Sequence, residues 1–271
     1  MTSTFPSVAK RPLHVRAPGA GPKPCKVCGS SAEFFGVQDF NRSCEEVRGQ
    51  TLPPSGLAIA YRRCGACGLL FTDAFDDWSD EDFAAHIYNA AYGEVDPDFE
   101  VKRPVSNVAA VAPVFQAVRE ELEILDYGGG NGRFAEEMRG AGYPLTRTYD
   151  RFHPAHSVRP EGRFGLVTCF ETIEHMPDPV AGAADIAAFV ADDGLLIIST
   201  LLQPPDIEQQ RMDWWYIGPR NGHVTLFTQQ ALAVLFARYG FRVLRSANAN
   251  LHLLCRQVPD FARHLFAPGT Q

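Results

Sequence analysis

The sequence predicts an α/β protein in which a nucleotide-binding strand–turn–helix unit follows a small cysteine-rich segment. Residues 122–125 form a short apolar run that ends in Asp126, and a glycine-dense turn occupies residues 128–132. A helix-forming stretch begins at Arg133, which completes the order of buried strand, tight turn and helix that opens a βαβ unit. The third observation is a pair of Cys-x-x-Cys motifs well before this turn.

Length, charge and hydropathy limit the classes of function. A chain of 271 residues can hold one sizeable domain and a small accessory one. A formal net charge of −7 argues against a nucleic-acid partner, because phosphate binding requires a basic face. No apolar run approaches the ~20 residues of a membrane span, and the N-terminus has no signal-peptide pattern. We therefore expect a cytoplasmic protein that binds neither nucleic acid nor membrane.

The paired cysteines predict a structural zinc site. Cys25 and Cys28 form one knuckle, and Cys64 and Cys67 form a second after a gap of 35 residues. Two such knuckles supply four thiolates to a tetrahedral zinc ion and leave no position for water. A redox-active pair is the alternative, although such pairs normally sit at a strand-to-helix turn. Cys44, between the knuckles, is predicted to be a spare thiol.

Composition and motif positions suggest where the segments of the chain begin and end. The first residues combine prolines, glycines and basic side chains without periodicity, which is typical of a flexible tail. The acidic and aromatic stretch after the second knuckle is predicted to be helical. The predicted division is a flexible tail over 1–24, a zinc-binding subdomain over 25–72, a helical linker or lid over 73–103, a cofactor-binding domain over 104–258 and a C-terminal tail over 259–271.

Two tyrosines in the predicted lid are candidates for contact with the cofactor. Ser79, followed three residues later by Asp82, is a plausible helix N-cap. Tyr88 and Tyr92 are four residues apart and are expected to share a helix face. They either pack on the core or cover the cofactor.

The glycine turn is compatible with two classes of cofactor. Gly128, Gly130 and Gly132 follow Asp126 in the pattern acid-x-Gly-x-Gly-x-Gly. Glycine permits left-handed backbone angles and lets a ligand lie against the main chain. The competing dinucleotide pattern Gly-x-Gly-x-x-Gly is met only in a weakened form that ends on Ala135. An acid at the strand end suits a cofactor with an ammonium group better than one with a pyrophosphate.

The next predicted strand ends in a second acid. Residues 145–149 are followed by Asp150, which lies 18 residues after Gly132. An acid at this distance accepts hydrogen bonds from a ribose diol. Residues 151–163 contain two prolines and leave little room for a third strand. The remaining predicted elements are strands over 164–170 and 194–200, helices over 180–191 and 229–239, and a closing antiparallel hairpin of strands 241–245 and 251–256.

The glycine turn and two later motifs make the chain resemble class I S-adenosylmethionine (SAM) methyltransferases. The turn resembles their motif I, and residues 171–179 resemble the Glu-x-x-Glu-His-x-x-Asp-Pro element of the methyltransferase-11/23 type. Residues 219–228, Pro-x-x-Gly-His-x-x-x-Phe-Thr, are similar to the same group, and the cysteine motifs are similar to those of its zinc-binding sugar methyltransferases. The resemblance covers roughly residues 25–256. The truncated third strand and the short C-terminal half depart from it.

This resemblance implies a fold, two cofactors and a set of site residues. The fold is a Rossmann-like class I methyltransferase sheet with a C-terminal antiparallel hairpin, preceded by the zinc-binding subdomain. The cofactors are SAM and structural zinc. The implied cofactor-binding residues are Asp126, Gly128, Gly130, Gly132, Asp150, Phe170, Glu171 and Tyr92.

The predicted catalytic residues are His175 and His223. Methyl transfer to a hydroxyl group requires a base with a pKa near the working pH, and histidine meets that requirement. His175 follows the fourth predicted strand at the start of a helix, and His223 lies in a later Gly/Pro loop. A variant interpretation places a divalent metal ion on Glu171, Glu174 and His175.

Three hypotheses about function follow. The first is a SAM-dependent enzyme that methylates a hydroxyl group of a sugar or related small metabolite. The second is a methyltransferase for an amine, carboxylate or phenol in natural-product assembly. The third is a non-enzymatic module whose zinc knuckles dock a partner, although the intact glycine turn counts against it. The oligomeric state is left open.

Overall fold

The computed structural model describes residues 11–19, 21–248 and 250–266, and of residues 244–248 it describes the backbone alone. The predicted tails, 1–24 and 259–271, therefore lie partly outside the described residues. The chain divides into two compact units, and each is assembled from three separate segments. The first unit is Met1–Pro97, Thr172–Gly182 and Thr200–Leu235, and the second is Asp98–Glu171, Ala183–Ser199 and Phe236–Gln271.

Eleven strands and seven α-helices occur in the described part of the chain. None of these helices is long and apolar enough to cross a membrane. The strands are β1 (Lys23–Pro24), β2 (Ser31–Asp39), β3 (Ala58–Cys64), β4 (Leu70–Thr72), β5 (Ile124–Tyr127), β6 (Thr146–Tyr149), β7 (Phe164–Phe170), β8 (Val190–Ser199), β9 (Thr225–Leu226), β10 (Arg242–Asn248) and β11 (Leu251–Cys255). The α-helices are α1 (Asp80–His86), α2 (Tyr92–Val95), α3 (Lys102–Val111), α4 (Arg133–Gly140), α5 (Pro179–Phe189), α6 (Ile207–Gln210) and α7 (Gln229–Ala237).

The sheet of the first unit is antiparallel and has the order β1-β2-β3-β4-β9. Its first four strands come from the cysteine-rich segment, whereas β9 comes from much later in the chain. Leu70 pairs with Leu226, and Phe71 pairs with Thr225. The segment that carries the Gly-His motif therefore completes the sheet begun by the cysteine knuckles.

The described residues before β1 are bound to this unit by backbone groups. The guanidinium group of Arg62, which is buried, donates to the carbonyl oxygens of Gly19 and Gly21 at 2.6 Å each. The amide of Arg16 donates to the carbonyl oxygen of Ala74 at 2.9 Å. A buried guanidinium group needs such acceptors, because an unsatisfied buried donor is costly.

The sheet of the second unit has the order β10-β11-β8-β7-β5-β6. β6, β5, β7 and β8 are parallel to one another, and β11 and β10 close the sheet as an antiparallel hairpin. The predicted Rossmann-like methyltransferase sheet with a C-terminal hairpin is therefore confirmed.

The core of this unit forms where the strands meet α4. Ile124, Leu166 and Leu195 are completely buried, and Phe134 and Met138 of α4 pack in the same cluster. The central strands are continuous apolar runs, because helices in a parallel α/β sheet cover both faces. Burial of one such side chain contributes roughly 1.5–3 kcal/mol.

The stretch between β6 and β7 contains no helix or strand, and all of its residues are described. It turns back on itself instead. The amide of Asp150 donates to the carbonyl oxygen of His156 at 3.0 Å, and the amide of His156 donates to the carbonyl oxygen of His153 at 2.9 Å. The predicted truncation of the third strand is therefore confirmed. The prolines of this stretch also disfavour a helix in its place.

The structure contradicts one prediction about the lid segment. Ser79 and Asp82 cap α1 in the predicted way, each bonding to the other's backbone N–H. However, α1 ends before Tyr88, and Tyr92 begins the separate helix α2, so the two tyrosines share no helix face. The side chain of Asn89 explains the break, because it bonds to nearby backbone groups in place of a continuing helix. The two tyrosine rings still meet edge to face at 5.3 Å.

Candidate functional site

The glycine turn between β5 and α4 has the geometry that its sequence predicts. Gly128, Gly130 and Gly132 have φ values of 73°, 54° and 79°, a region that favours glycine. Gly129 is needed for a different reason, because a Cβ atom there would lie 2.0 Å from Oδ2 of Asp126. The main chain therefore passes directly over the acid at the end of β5.

Asp126 is a buried acid with one unsatisfied oxygen. Only 2% of its surface is exposed, and its Oδ1 accepts a hydrogen bond from Thr168 Oγ1 at 3.0 Å. Within the described residues, Oδ2 has no hydrogen-bond partner, and the buried hydroxyl of Thr148 has none either. Burial raises the pKa of Asp126 to about 7. An ammonium group, such as that of the predicted SAM, would satisfy Oδ2 and favour its charged form.

The stability of the cofactor-free protein is expected to fall as the pH rises from about 4 to about 7. Aspartate titrates near 3.9 in an unfolded chain, whereas the pKa of Asp126 is about 7 in the folded chain. Between these two pKa values, Asp126 is protonated in the folded chain and ionised in the unfolded chain. Above a pH of about 7, Asp126 is ionised in the folded chain as well, and its buried charge lowers the stability. The difference of about 3 between the pKa values corresponds to about 4 kcal/mol.

Urea unfolding at about pH 5 and about pH 8 checks this prediction. Asp126→Asn, which carries no charge at either pH, should lack most of the decline. An equal decline in wild type and variant would assign the pH dependence to other groups.

The carboxylate of Asp150 forms hydrogen bonds with both the glycine turn and the stretch that replaces the third strand. Its Oδ2 accepts the N–H of Gly130 at 2.8 Å. Its Oδ1 accepts the N–H groups of Phe152 at 2.8 Å and of His153 at 3.1 Å. A carboxylate has about four acceptor positions, so about one remains for a ribose hydroxyl. Asp150 therefore shapes the turn as well as offering an acceptor to a ligand.

Phe170 and Glu171 lie at the carboxyl end of β7. The ring of Phe170 packs edge to face on that of Phe134 at 5.3 Å. The hydroxyl of Ser199 accepts the N–H of Glu171 at 2.9 Å and donates to its Oε1 at 2.8 Å. Glu171 has a φ of +46°, a strained value for a residue other than glycine. Strain at this edge of an α/β sheet fits a ligand site, and the contacts of both residues with the cofactor stay predictions.

The remaining predicted cofactor residue, Tyr92, belongs to the first unit. It is buried, and its hydroxyl donates to the carbonyl oxygen of Asn221 at 3.4 Å. Its predicted contact with the cofactor stays a prediction.

The first unit brings both predicted catalytic histidines together with an acid. Glu174, His175 and His223 each offer a ligand atom, and these atoms lie within 4.8 Å of one another. The imidazole rings of His175 and His223 meet edge to face at 4.9 Å. Glu171, the third member of the predicted metal set, belongs to the other unit. We call Glu174, His175 and His223 the histidine cluster.

Backbone contacts hold the segment that carries His175. The amide of Val224 donates to the carbonyl oxygen of Glu174 at 2.9 Å, and Thr225 Oγ1 donates to that of Met176 at 2.8 Å. The ammonium group of Lys26, which lies inside the first cysteine knuckle, donates a hydrogen bond to the carbonyl oxygen of Pro177 at 2.8 Å. The segment that precedes α5 is thus fixed by both β9 and the knuckle.

The predicted position of His175 at the start of a helix was wrong. His175 ends a short 3₁₀ helix, Ile173–His175, and α5 begins only at Pro179. Proline disfavours helical angles in the residue before it, so Pro177 and Pro179 separate His175 from α5.

His223 is buried among groups that its sequence motif does not reveal. Its Nδ1 lies 2.8 Å from the carbonyl oxygen of Tyr216 and 3.6 Å from Sγ of Cys44. The hydroxyl of Tyr61 donates to the carbonyl oxygen of His223 at 2.7 Å. Cys44, predicted to be a spare thiol, is therefore part of this site's surroundings. No spacing in the sequence indicates that Tyr61, Cys44 and Tyr216 meet.

The four knuckle cysteines converge in the first unit as predicted. The Sγ atoms of Cys25 and Cys67 are 3.6 Å apart, and those of Cys28 and Cys64 are 3.4 Å apart. Four sulfurs at about 2.3 Å from one zinc ion would be about 3.8 Å apart, so this set fits the metal after a small expansion. The glycine after each knuckle, at positions 29 and 68, has a φ of 75°, and amides of both knuckles approach the sulfurs at 3.4 Å.

Comparison with known proteins identifies a family and several relatives of this chain. A family described as a methyltransferase domain matches residues 99–246, which is more than half of the chain. The ubiquinone biosynthesis O-methyltransferase of Glaesserella parasuis is 26% identical over 106 residues, covering 29% of this chain and 45% of the relative. Its counterpart in Alkalilimnicola ehrlichii is 32% identical over 109 residues, covering 32% and 44%. The chain spans about half the length of the curated relatives it matches.

Solved structures with a similar arrangement of elements share little sequence with this chain. An amino pentose methyltransferase from Micromonospora echinaspora has a TM-score of 0.44 and 18% identity, covering 63% of this chain and 96% of that one. Magnesium protoporphyrin IX methyltransferase from Synechocystis has a TM-score of 0.44 and 15% identity, covering 58% and 83%.

Proposed function

Because this chain belongs to the methyltransferase domain family, we propose that it transfers the methyl group of SAM to a hydroxyl group of a sugar or related small metabolite. The observation that carries the choice of a hydroxyl acceptor is the histidine cluster, in which two imidazoles meet beside a buried acid. A hydroxyl acceptor must lose a proton, and an imidazole takes a proton near neutral pH. The names of the curated relatives, which specify O-methylation, agree with an oxygen acceptor.

The second unit offers the groups that would hold SAM. Asp126 Oδ2 suits the ammonium group, because it is buried and lacks a partner among the described residues. Asp150 offers its remaining acceptor position to the ribose. The glycines of the turn leave the main chain open to close approach. When bound, SAM supplies a methyl group on a positively charged sulfur.

The first unit offers the proton acceptor. His223 is the favoured base on the acceptor side, and His175 is assigned to shape the cofactor end of the site. Removing the proton increases the electron density on the acceptor oxygen, and orientation of that oxygen towards the methyl group supplies the rest of the rate enhancement.

Labelled SAM tests the proposed function directly. The full chain is incubated with SAM carrying a radioactive methyl group and a pool of cell metabolites, and the labelled product is isolated and identified. A labelled sugar ether, or the ether of a related metabolite, is the expected product. A methylated amine, a methyl ester or a phenol ether would support the second hypothesis, in which the acceptor is an amine, a carboxylate or a phenol. The absence of any labelled product would favour the third hypothesis, a non-enzymatic module that docks a partner.

The dependence of turnover on added metal ions distinguishes a histidine base from the variant interpretation, in which the cluster binds a divalent metal ion. Three ligand atoms within 4.8 Å could also hold a divalent cation, and such an ion would lower the pKa of an acceptor hydroxyl. We expect turnover to be independent of added Mg²⁺ or Mn²⁺. Turnover that requires one of these ions would instead assign the histidine cluster to metal binding.

Asp150→Ala is expected to weaken SAM binding by about 1.5–3 kcal/mol, the value of one hydrogen bond to a charged group. The loss can be larger, because Asp150 also holds Gly130 and the following stretch. Calorimetry with SAM measures the change. Asp192→Ala, which removes an exposed acid of the same unit, is the control and should bind SAM normally. Unchanged affinity in Asp150→Ala would remove the ribose assignment.

We also propose that the four knuckle cysteines hold one structural zinc ion. The proximity of their sulfurs and the left-handed glycine after each knuckle support this assignment. A four-cysteine set leaves no open coordination position, so the ion would stabilise the first unit and take no part in the methyl transfer.

A further inference from the structure

The side chain of Lys26 connects the first cysteine knuckle to the segment that carries His175. Its ammonium group donates hydrogen bonds to the carbonyl oxygens of Thr72 and Pro177, each at 2.8 Å, and it pairs with the carboxylate of Asp76. An ammonium group has three donors, and these three acceptors use all of them. Only 12% of the side chain is exposed. Lys26 therefore joins the knuckle, the end of β4 and the segment after His175 at one point of the first unit.

Backbone hydrogen bonds extend this connection to both histidines. The N–H of Thr72 donates to the carbonyl oxygen of Val224 at 3.0 Å. The N–H of Val224 donates in turn to the carbonyl oxygen of Glu174 at 2.9 Å. Val224 directly follows His223, and Glu174 directly precedes His175. The placement of each imidazole therefore depends on the same series of backbone contacts, which begins at the end of β4.

The segment after His175 is held by side chains from other elements. Pro177 has no backbone N–H and disfavours helical angles in the residue before it, so the 3₁₀ helix that ends at His175 does not continue into α5. The hydroxyl of Thr225 donates instead to the carbonyl oxygen of Met176 at 2.8 Å, and the ammonium group of Lys26 donates to that of Pro177. The course of the main chain beside His175 therefore depends on β9 at one carbonyl and on the knuckle at the next.

We infer that Lys26 is a positioning residue, which links the geometry of the cysteine knuckle to that of the histidine cluster. Lys26 lies between Cys25 and Cys28, so ligation of both thiolates to one ion would fix the main chain from which its side chain extends. The ion takes no chemical part in this role. The placement of the two histidines is independent of the proposed function, whereas its effect on turnover rests on that function. The role is the same whether the histidine cluster takes up a proton or binds a metal ion.

Proton NMR of the full, zinc-loaded chain tests this role without any acceptor or SAM. The imidazole rings of His175 and His223 meet at 4.9 Å, so nuclear Overhauser effects should connect their ring protons in the wild type. The signals missing from His175→Ala and from His223→Ala assign the two rings. Lys26→Met keeps an unbranched side chain of similar length and removes all three donors. We expect this variant to retain about one zinc ion per chain and to lose the Overhauser effects between the two rings.

Turnover and cofactor affinity distinguish positioning from a contribution to stability alone. With the identified acceptor, kcat of Lys26→Met should fall by about 10- to 100-fold, because a small displacement of a catalytic group costs about that much in rate. The affinity for SAM should not change, since Lys26 is not among the predicted cofactor-binding residues. The measurements are made well below the thermal transition of the variant. Under these conditions, a residue that only stabilises the fold would leave kcat and the Overhauser effects unchanged.

Lys23→Met is the matched control, because Lys23 precedes the same knuckle and its ammonium group lies 3.7 Å from the carboxylate of Asp73. It should keep the zinc content, the Overhauser effects and the turnover of the wild type. If Lys26→Met does not fold, Lys26→Gln, which keeps an amide donor, replaces it in the same measurements.

Three outcomes would overturn the role of Lys26. They are unchanged Overhauser effects between the histidine rings in the folded variant, loss of zinc from the folded variant, and failure of both Lys26 variants to fold. The second and third outcomes would show that Lys26 serves the knuckle or the fold as a whole. A wild-type protein whose Overhauser effects depend on Lys26, but which transfers no methyl group, would refute the proposed function alone.

Discussion

His223→Ala is expected to lower turnover by roughly 10²–10⁴-fold, the usual contribution of a general base. The affinity for SAM should remain close to that of the wild type, because His223 is not among the predicted cofactor-binding residues. His223 is the favoured candidate because it is buried and its ring meets that of His175 beside Glu174. Single-turnover kinetics with the identified acceptor, together with calorimetry for SAM, measure the two quantities separately.

Two histidine variants serve as comparisons. His175→Ala is expected to change the KM for the acceptor or the stability of the fold, with a smaller effect on turnover. His264→Ala, at an exposed position near the C-terminus, should change neither. If both His175→Ala and His223→Ala keep near-wild-type turnover from about pH 6 to about 8, neither residue is the base. Proton removal would then fall to Tyr88, Tyr92 or water.

Cys64→Ser is expected to abolish zinc binding and to prevent cooperative folding of the first unit. Structural zinc contributes on the order of 10 kcal/mol to the folding of zinc-finger peptides, which is comparable with the 5–15 kcal/mol that typically stabilises a whole domain. Metal analysis should find about one zinc ion per wild-type chain and none in the variant. Thermal unfolding followed by circular dichroism should show the loss of a transition.

Cys44→Ser is the matched control for the metal. This cysteine belongs to the same unit and is buried, but it lies beside His223 and outside the four-cysteine set. It should keep the full zinc content. A metal-free wild-type protein with full stability at neutral pH would contradict the zinc assignment.

The local features of the fold could be predicted because each has a local physical cause. The turn of Gly128, Gly130 and Gly132 is recognisable because left-handed backbone angles select glycine. The strands of the second unit are recognisable because burial on both faces selects continuous apolar runs. The proximity of the four cysteines was predictable because two Cys-x-x-Cys motifs are the usual ligand pattern of a structural zinc site.

The long-range features could not be predicted from the same patterns. The pairing of Leu70 with Leu226 joins segments that no sequence periodicity connects, so the strand order of the first sheet could not be predicted. The alternation of segments of the two units along the chain could not be predicted either. The surroundings of His223 depend on that same sheet. The contact between Tyr216 and His223 could not be predicted, because a contact through a backbone carbonyl has no signature in residue type.

The late position of β9 has a consequence for protein synthesis. The four cysteines and β1 to β4 have all been translated once residue 72 is complete, but the partner of β4 follows only at residues 225–226. At 5–20 residues per second, a ribosome needs about 8–30 s to cover that distance. During this time β4 presents an open edge, which is a template for pairing with other chains. We therefore expect nascent chains and C-terminal truncations that stop before Thr225 to aggregate more readily than the full chain.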